Sequence, residues 1–372
     1  MTQQTGCGIK KILIVYATAG AGHKKAAQAL ERRARGYSGC EVISADIVDF
    51  MPRWIKALYS DGYTLLISRF PWLWAVLYRL SDSPLLSLVN VHLRRFSDAR
   101  MCGRFLRFLQ QEQPDAVLST QFLASEMAAY AKAKSLLKTK LVTVVTDYGV
   151  HNFWVNPLTD LYCCAAESTR RLLLNKGVPE KNIRVTGIPL DEKFLRGRQR
   201  SEIHESLGTR AGRFTVLIAT GGIGIGPIET LVDTLGDHAQ LLVVCGHNKA
   251  LLEALQKKRQ ETLRAFGFVD NMDELMRASD LMVTKAGGLS VTEALSMGLP
   301  MIFFCLLPGQ EMINARMISS LKAGLIASDI DAIRQAVLDF KEHPGMAESY
   351  RKNALRLARP QSSADIISAT LS

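Results

Sequence analysis

The chain has 372 residues, 48% of them hydrophobic and 22% charged, an ordinary globular profile able to bury two cores. Its longest apolar stretches fall well short of the ~20 residues that a membrane-spanning helix needs. The formal net charge of +11 points to an anionic partner: nucleic acid, an anionic membrane or a nucleotide.

Seven cysteines include no CxxC pair, and the adjacent Cys163 and Cys164 cannot easily serve one tetrahedral metal. A reduced cytosolic chain is the simplest reading. Residues 1–8 are polar and lack the apolar segment of a signal peptide.

Residues 10–16 form a short β-branched run that reads as a buried strand. Residues 17–23, with Gly20 and Gly22, read as a turn, and residues 24–35 as a helix with Ala26, Ala27, Leu30 and Ala34 on one face. No Lys-Ser/Thr pair follows the glycines, so this is neither GxGxxG nor a P-loop. His23 reads either as a capping or packing histidine or as a functional group, because ligands bind at the ends of such strands. Residues 41–47 are the second strand.

From 49 to 111 the character changes. Trp54, Trp72 and Trp74 lie here with Tyr59, Tyr63, Phe70 and Tyr78. Arg53, Lys56, Arg69, Arg79, Arg94, Arg95, Arg100, Arg104 and Arg107 are interleaved, and acids are few, chiefly Asp61, Asp82 and Asp98. The pattern fits amphipathic helices lying in an anionic membrane interface. The competing reading is an aromatic helical lid over the first core.

Strands follow at 114–120, 140–146, 161–165 and 183–186, with helices at 123–136 and 168–176. Asp147 and His151 then stand at a strand's carboxyl end, on the side expected for His23. Asp147 can serve as a general base or simply cap the next turn. Residues 191–212 are polar and charged and read as a linker.

The second half begins with a strand at 214–219 and the glycine loop Gly221, Gly222, Gly224, Gly226, able to wrap a phosphate or merely form a mobile loop. A strand at 241–246 and residues 264–269 precede a helix at 273–278. Residues 281–284 are again a strand, broken by Ala286, Gly287 and Gly288. Ser290 is placed to cap a helix in which Glu293 sits at capping-box spacing, with Gly298 ending it and Pro300 opening the next strand. Such a βαβ turn aims backbone N–H groups at an anion, and Lys285 adds a charge. Gln310, Glu311 and Asn314 follow the next strand. Asp329-Ile-Asp331 precedes a helix and reads as a cap, not a metal site; no metal is expected. Helices close the chain at 331–340 and 345–371.

Two strand–glycine–helix halves of five or six strands imply an α/β chain of two doubly wound, Rossmann-like domains facing across a cleft. Expected boundaries are 1–195 (with 49–111 as a membrane-facing helical insertion), 205–350, and a C-terminal helix at 351–372 packing back toward the first domain.

Ordered along the chain stand Gly20-Ala-Gly-His23, Val145-Thr-Asp-Tyr-Gly-Val-His151 with Trp154-Val155, Val185-Thr-Gly-Ile-Pro189, Val244-Cys-Gly-His-Asn248, Gly267-Phe-Val-Asp-Asn-Met272, and Thr284-Lys-Ala-Gly-Gly288 through Pro308-Gly-Gln-Glu311. This set resembles the GT-B-fold lipid glycosyltransferases of glycosyltransferase family 28, which include monogalactosyldiacylglycerol synthase and processive diacylglycerol glucosyltransferase. More distantly, it resembles the peptidoglycan transferase acting on lipid I.

The resemblance implies inverting transfer of glucose or galactose from a UDP-hexose to diacylglycerol or a glycosylated diacylglycerol. The enzyme would sit peripherally on the cytoplasmic face of the membrane, with no cofactor beyond the donor substrate. By motif, Lys285, Ala286, Gly287, Gly288 and Ser290 belong to the diphosphate turn, and Glu293 would hold the ribose diol. Phe268 and Val269 would lie against uracil, and Gln310 and Glu311 would bind the hexose with Asn314 in support. Gly22, Gly187, Gly221 and Gly222 would line phosphate and sugar. Asp147 would be the base, with His23 near acceptor and diphosphate. The glycine loops differ from the family in spacing, which leaves the sugar open. Rival readings are a polyprenyl-linked acceptor, a nucleotide-sugar 2-epimerase and a non-catalytic UDP-sugar sensor. Nucleic-acid binding finds no signature.

Overall fold

The structure, a computed structural model, describes residues 9–18, 21–53, 56, 62, 70–82, 102–258 and 260–372. Its contacts divide the chain into two units: Met1–Asp191 with Arg359–Ser372, and Glu192–Ala358.

The first unit is built on six parallel strands: β1 (Lys11–Tyr16), β2 (Glu41–Asp46), β3 (Ala116–Ser119), β4 (Lys140–Val144), β5 (Leu161–Cys164) and β6 (Ile183–Val185). Their order is β2-β1-β3-β4-β5-β6. Central strands of a parallel sheet are covered on both faces, which is why they read as unbroken apolar runs. Leu13, Val15, Val117 and Leu141 meet Phe105, Leu109 and Met127 on one face. Ile12, Ile14, Leu118 and Val142 meet Leu30 and the C-terminal Ile366 and Ile367 on the other. The closing helix Ser362–Leu371 thus completes the first unit's core, and Lys140 Nζ donates to Ala369 O (3.0 Å) and Thr370 O (3.1 Å) at its end.

The second unit carries β7 (Thr215–Ala219), β8 (Gln240–Val244), β9 (Leu263–Phe266), β10 (Leu281–Thr284), β11 (Met301–Phe303) and β12 (Gly324–Ile326), ordered β12-β11-β10-β7-β8-β9. Val216, Ile218, Leu241, Val243, Leu281 and Val283 share one core with the helices Ile228–Leu235, Lys249–Lys257 and Ile330–Glu342. In each sheet the winding reverses once, between β1 and β3 and between β7 and β10. Loops diverge at such switch points and leave a crevice at the carboxyl ends of the strands.

Several expectations need correction. The stretch 191–212 is not a free linker: it contains a 3-10 turn at Glu192–Phe194 and a helix at Arg200–Ser206. Its arginines are held by acids of the second unit, Arg200 Nη2 to Asp280 at 2.7 Å and Arg198 Nη1 to Glu274 at 3.4 Å. Residue 351 lies within the helix Pro344–Leu357, so the chain returns to the first unit only at Arg359. The helix expected at 24–35 begins at Ala21 and takes in Gly22 and His23.

Of the aromatic and basic stretch, Trp54, Tyr59, Tyr63, Arg69, Arg94, Arg95, Arg100, Asp61 and Asp98 lie outside the described residues. So do Ala19 and Gly20. The helix Gly103–Glu112, counted with that stretch, is a core helix. Its Phe105 and Phe108 rings lie 5.3 and 4.9 Å from Phe50, and only its arginine side faces out.

Candidate active site

In the second unit the switch point is built by two loops. β10 runs beside β7 with Thr284 opposite Ala219, and Thr284 Oγ1 donates to Ala219 O at 2.7 Å. Both strands therefore end at one level. Beyond them stand Gly221 on one side and Lys285 on the other; a Cβ on Gly221 would lie 4.0 Å from Lys285 Cε.

The helix after β10 is Gly288–Ser296, capped by Gly287 with no side-chain hydrogen bond. This corrects the role expected for Ser290, which lies within the first turn. Gly287 adopts the extended cap backbone, so the helix starts three residues earlier than a cap at Ser290 implied. The first-turn amides of Gly288, Leu289 and Ser290 are consequently aimed past the turn with no side chain capping them, among the described residues. Free first-turn amides and the positive end of the helix dipole are the features that favour an anion at such a turn. Gly298 N and Leu299 N return to Leu295 O and Ala294 O and close the helix.

Lys285 Nζ lies 3.4 Å from Glu311 Oε1, and Glu311 Oε2 accepts from Leu307 N at 2.9 Å. One carboxylate thus fixes both the cation and the loop before the helix Gln310–Ser320. Fully buried Asn314 donates to Ala286 O at 2.9 Å and pins the turn from beneath. Gln310 opens that helix. Glu293, on the second turn of its own helix, is 5% exposed.

The glycine loop lies against the end of β8. Gly222 O accepts from His247 N at 2.8 Å, and a Cβ on Gly246 would sit 2.3 Å from Gly222 O. Only glycine permits that approach. Phe268, half-exposed, stacks on His247 with ring centroids 4.7 Å apart and 11° between planes, and Val269 follows it. His247 is a neighbour that sequence reasoning missed, although it lies inside the motif at 244–248.

In the first unit, His23, Thr120 and Thr146 converge beyond β1, β3 and β4. His23 Nδ1 lies 2.7 Å from Thr120 O and 3.0 Å from Thr146 Oγ1. A carbonyl only accepts, so Nδ1 carries the proton and Nε2 is the acceptor nitrogen of the neutral ring. Burial pushes the His23 pKa below its ordinary value, against the opposing pull of the Thr120 carbonyl.

Asp147, 9% exposed, follows Thr146. The described helix Pro71–Ser81 docks beside it. The Tyr78 phenol is pushed up by burial and then by the carboxylates of Asp147 and Asp82. Tyr78 and His151 rings lie 4.7 Å apart, and Ser81 Oγ is 3.2 Å from His151 Nε2. Asp82 Oδ1 accepts from Asn152 N (2.8 Å) and Lys176 Nζ (3.1 Å). Of the two sequence readings of this stretch, the helical lid anticipates such docking, but not its partners. The signal was there: Trp74, Tyr78 and Ser81 fall at helical spacing on one face, and Trp72, Val76 and Leu80 on another.

Gly187 is explained by packing. Its φ is +88°, and a Cβ there would lie 2.5 Å from Arg359 Cβ, where the chain returns to the unit. Gly22, now on the first helical turn, stays beside His23. Asp329 caps the helix Ile330–Glu342, its Oδ1 accepting from Ala332 N at 2.8 Å.

Residues 23–190 match the model of monogalactosyldiacylglycerol (MGDG) synthase, and residues 227–364 match the glycosyltransferase family 28 C-terminal domain. The chain is 31% identical to a probable monogalactosyldiacylglycerol synthase 2, chloroplastic, of Oryza sativa subsp. indica over 96% of this chain and 79% of that one. It is 28% identical to a processive diacylglycerol beta-glucosyltransferase of Bacillus pumilus over 96% of this chain and 94% of that one. Among solved structures, MurG of Acinetobacter baumannii superposes with a TM-score of 0.60 at 16% identity, covering 97% and 99% of the two chains. The UDP-GlcNAc 2-epimerase of Neisseria meningitidis also reaches 0.60 at 16% identity, covering 97% and 99%. Structural likeness at that identity speaks for the GT-B fold, which transferases and epimerases share; the sequence relatives separate the two. With two parallel sheets, an uncapped helix N-terminus beside a lysine and these relatives, the chain belongs to the glycosyltransferase family 28 enzymes that include monogalactosyldiacylglycerol synthase and processive diacylglycerol glucosyltransferase.

Proposed function

We propose that this glycosyltransferase moves a hexose, glucose or galactose, from a UDP-sugar to diacylglycerol or a glycosylated diacylglycerol, with inversion, as a peripheral protein on the cytoplasmic face of a membrane. The observation that carries the donor half is the turn at the β7/β10 switch point: Lys285 beside the uncapped amides of residues 288–290. A departing diphosphate develops negative charge, and fixed positive charge and amide dipoles stabilise it. Glu293 accepts from the ribose hydroxyls, and the exposed face of Phe268 lies against uracil. Gln310 and Glu311 hold the hexose.

The acceptor half rests on Asp147. The hydroxyl oxygen attacks the anomeric carbon from the face opposite UDP. Its proton passes to the Asp147 carboxylate, and the anomeric C–O bond breaks with its electron pair leaving on UDP. Neutral His23, with Nε2 as an acceptor, orients polar groups of the same wall. No other cofactor enters this scheme.

Peripheral attachment is supported by the outer face of the helix Pro71–Ser81. Trp72 is 66% exposed, and Val76, Leu77 and Leu80 are exposed with it, next to Arg79. Apolar side chains beside a cation suit an anionic lipid interface. Among the described residues, no helix is long and apolar enough to cross a membrane.

The test is incubation with UDP-glucose or UDP-galactose and diacylglycerol in mixed micelles, followed by product mass and sugar analysis. A hexosyl-diacylglycerol supports the reading. Epimerised nucleotide-sugar without lipid product, or no hexosyl-diacylglycerol from either donor, overturns it.

A further inference from the structure

The second unit also holds a cavity of about 540 Å³ that the donor turn does not reach. Its wall includes Phe214, Asp280 and Pro300, the residues immediately before β7, β10 and β11. It therefore lies at the amino ends of the strands, whereas Lys285 and Gly221 stand beyond their carboxyl ends. At ~3.3 Å per residue, the strands separate the two places by about 15 Å.

The cavity is cationic. Arg198, Arg200, Arg277, Lys341 and Arg351 line it, against two carboxylates, Asp280 and Glu348. Asp280 pairs with Arg200 of the same wall at 2.7 Å, Arg198 with Glu274 at 3.4 Å, and Glu348 lies 3.7 Å from Lys352 Nζ; the lining cations with no carboxylate partner among the described residues are Arg277, Lys341 and Arg351. Among the described residues, Lys341 Nζ donates to a neutral group, His238 O, at 2.9 Å.

Arg277 Nη2 is buried with no hydrogen-bond partner among the described residues. A charged donor left that way is destabilising unless something accepts from it. Gly197 presses on the same guanidinium, since a Cβ there would lie 3.0 Å from Nε and from Nη2. Across the cavity, Pro344, Ala347, Glu348 and Arg351 follow one another at the spacing of a single helix face. Buried Met276, Leu299 and Phe340 supply an apolar floor.

We infer that this cavity is a second anion site, taking a phosphate group carried on a small organic body. Guanidinium groups recognise phosphate by paired hydrogen bonds, and the apolar floor receives the body. The inference is independent of the proposed sugar transfer.

The experiment uses the full chain with Lys285→Ala, which removes the cation at the opposite ends of the strands. Glycerol 3-phosphate is titrated calorimetrically. Flotation is measured with phosphatidylcholine vesicles containing one-fifth phosphatidylserine. Arg277→Gln and Arg351→Gln are each expected to weaken binding about tenfold or more. Arg351 is exposed on its helix, so its variant remains informative where Arg277→Gln fails to fold. A loss with glycerol 3-phosphate supports a free organic phosphate as the ligand; a loss with vesicles alone supports a lipid headgroup. No binding of either probe, or binding insensitive to both substitutions, overturns the site.

Discussion

At the scale of single residues, Glu293 is the sharpest case. It is a carboxylate, 5% exposed, on the second turn of the helix Gly288–Ser296, and its proposed role is to accept from the ribose diol. Glu293→Ala is expected to weaken UDP binding roughly ten- to a hundredfold. The variant should also lose the parent's preference for UDP over 2′-deoxy-UDP. Equal discrimination in parent and variant, measured by calorimetry on folded protein, removes Glu293 from the ribose.

His23 makes a separate claim on stability. Its folded pKa lies below the unfolded value near 6.5 because the ring is buried. As pH falls through 6.5 the unfolded chain takes up the proton first, so stability present above that pH is lost on the way down to the folded pKa. His23→Gln is expected to flatten the decline in urea midpoint between pH 7 and pH 5. His204, whose pKa is also lowered by burial and by Arg200, retains its own share. An unchanged slope contradicts the buried neutral ring.

At the scale of elements, most strands were legible because a parallel sheet buries both faces and its strands are continuous apolar runs. The strand at 281–284 is an example, matching β10 residue for residue. Helix starts were less legible. Ser290 looks like a cap by residue type, yet Gly287 takes the position, because chain geometry at the turn outweighs cap preference. The helix at His23 likewise begins earlier than expected, at Ala21.

The helix Pro71–Ser81 shows both limits together. Its aromatic composition suggested one membrane face, whereas Trp74 and Tyr78 turn inward toward His151 and Trp72, Val76, Leu77 and Leu80 turn out. The outer residues are expected to carry vesicle binding. Trp72→Ser with Leu77→Ser should lower partitioning onto anionic vesicles on the order of tenfold or more. Parent binding should fall with added salt. Flotation indifferent to both substitutions and to ionic strength contradicts an interfacial helix.

At the scale of the molecule, the two-half plan was readable from the repeated strand–glycine–helix order, and the first domain's expected end at 195 falls near the observed division after Asp191; the structure of the stretch beyond it was not readable. Polar composition at 191–212 suggested a linker, and composition does not reveal that Arg198 and Arg200 are paired with Glu274 and Asp280. The C-terminal helix belongs to the first unit through Ile366 and Ile367, which complete the sheet face shared with Leu30.

The central claim is a division of labour: the second unit binds the donor and the first supplies the base. It is tested most directly by measuring UDP affinity and transfer rate together in Asp147→Asn. The variant is expected to bind UDP within about twofold of the parent and to lose transfer by a factor on the order of 10² or more. Turnover like the parent's, or loss of UDP binding equal to the loss of rate, contradicts the claim.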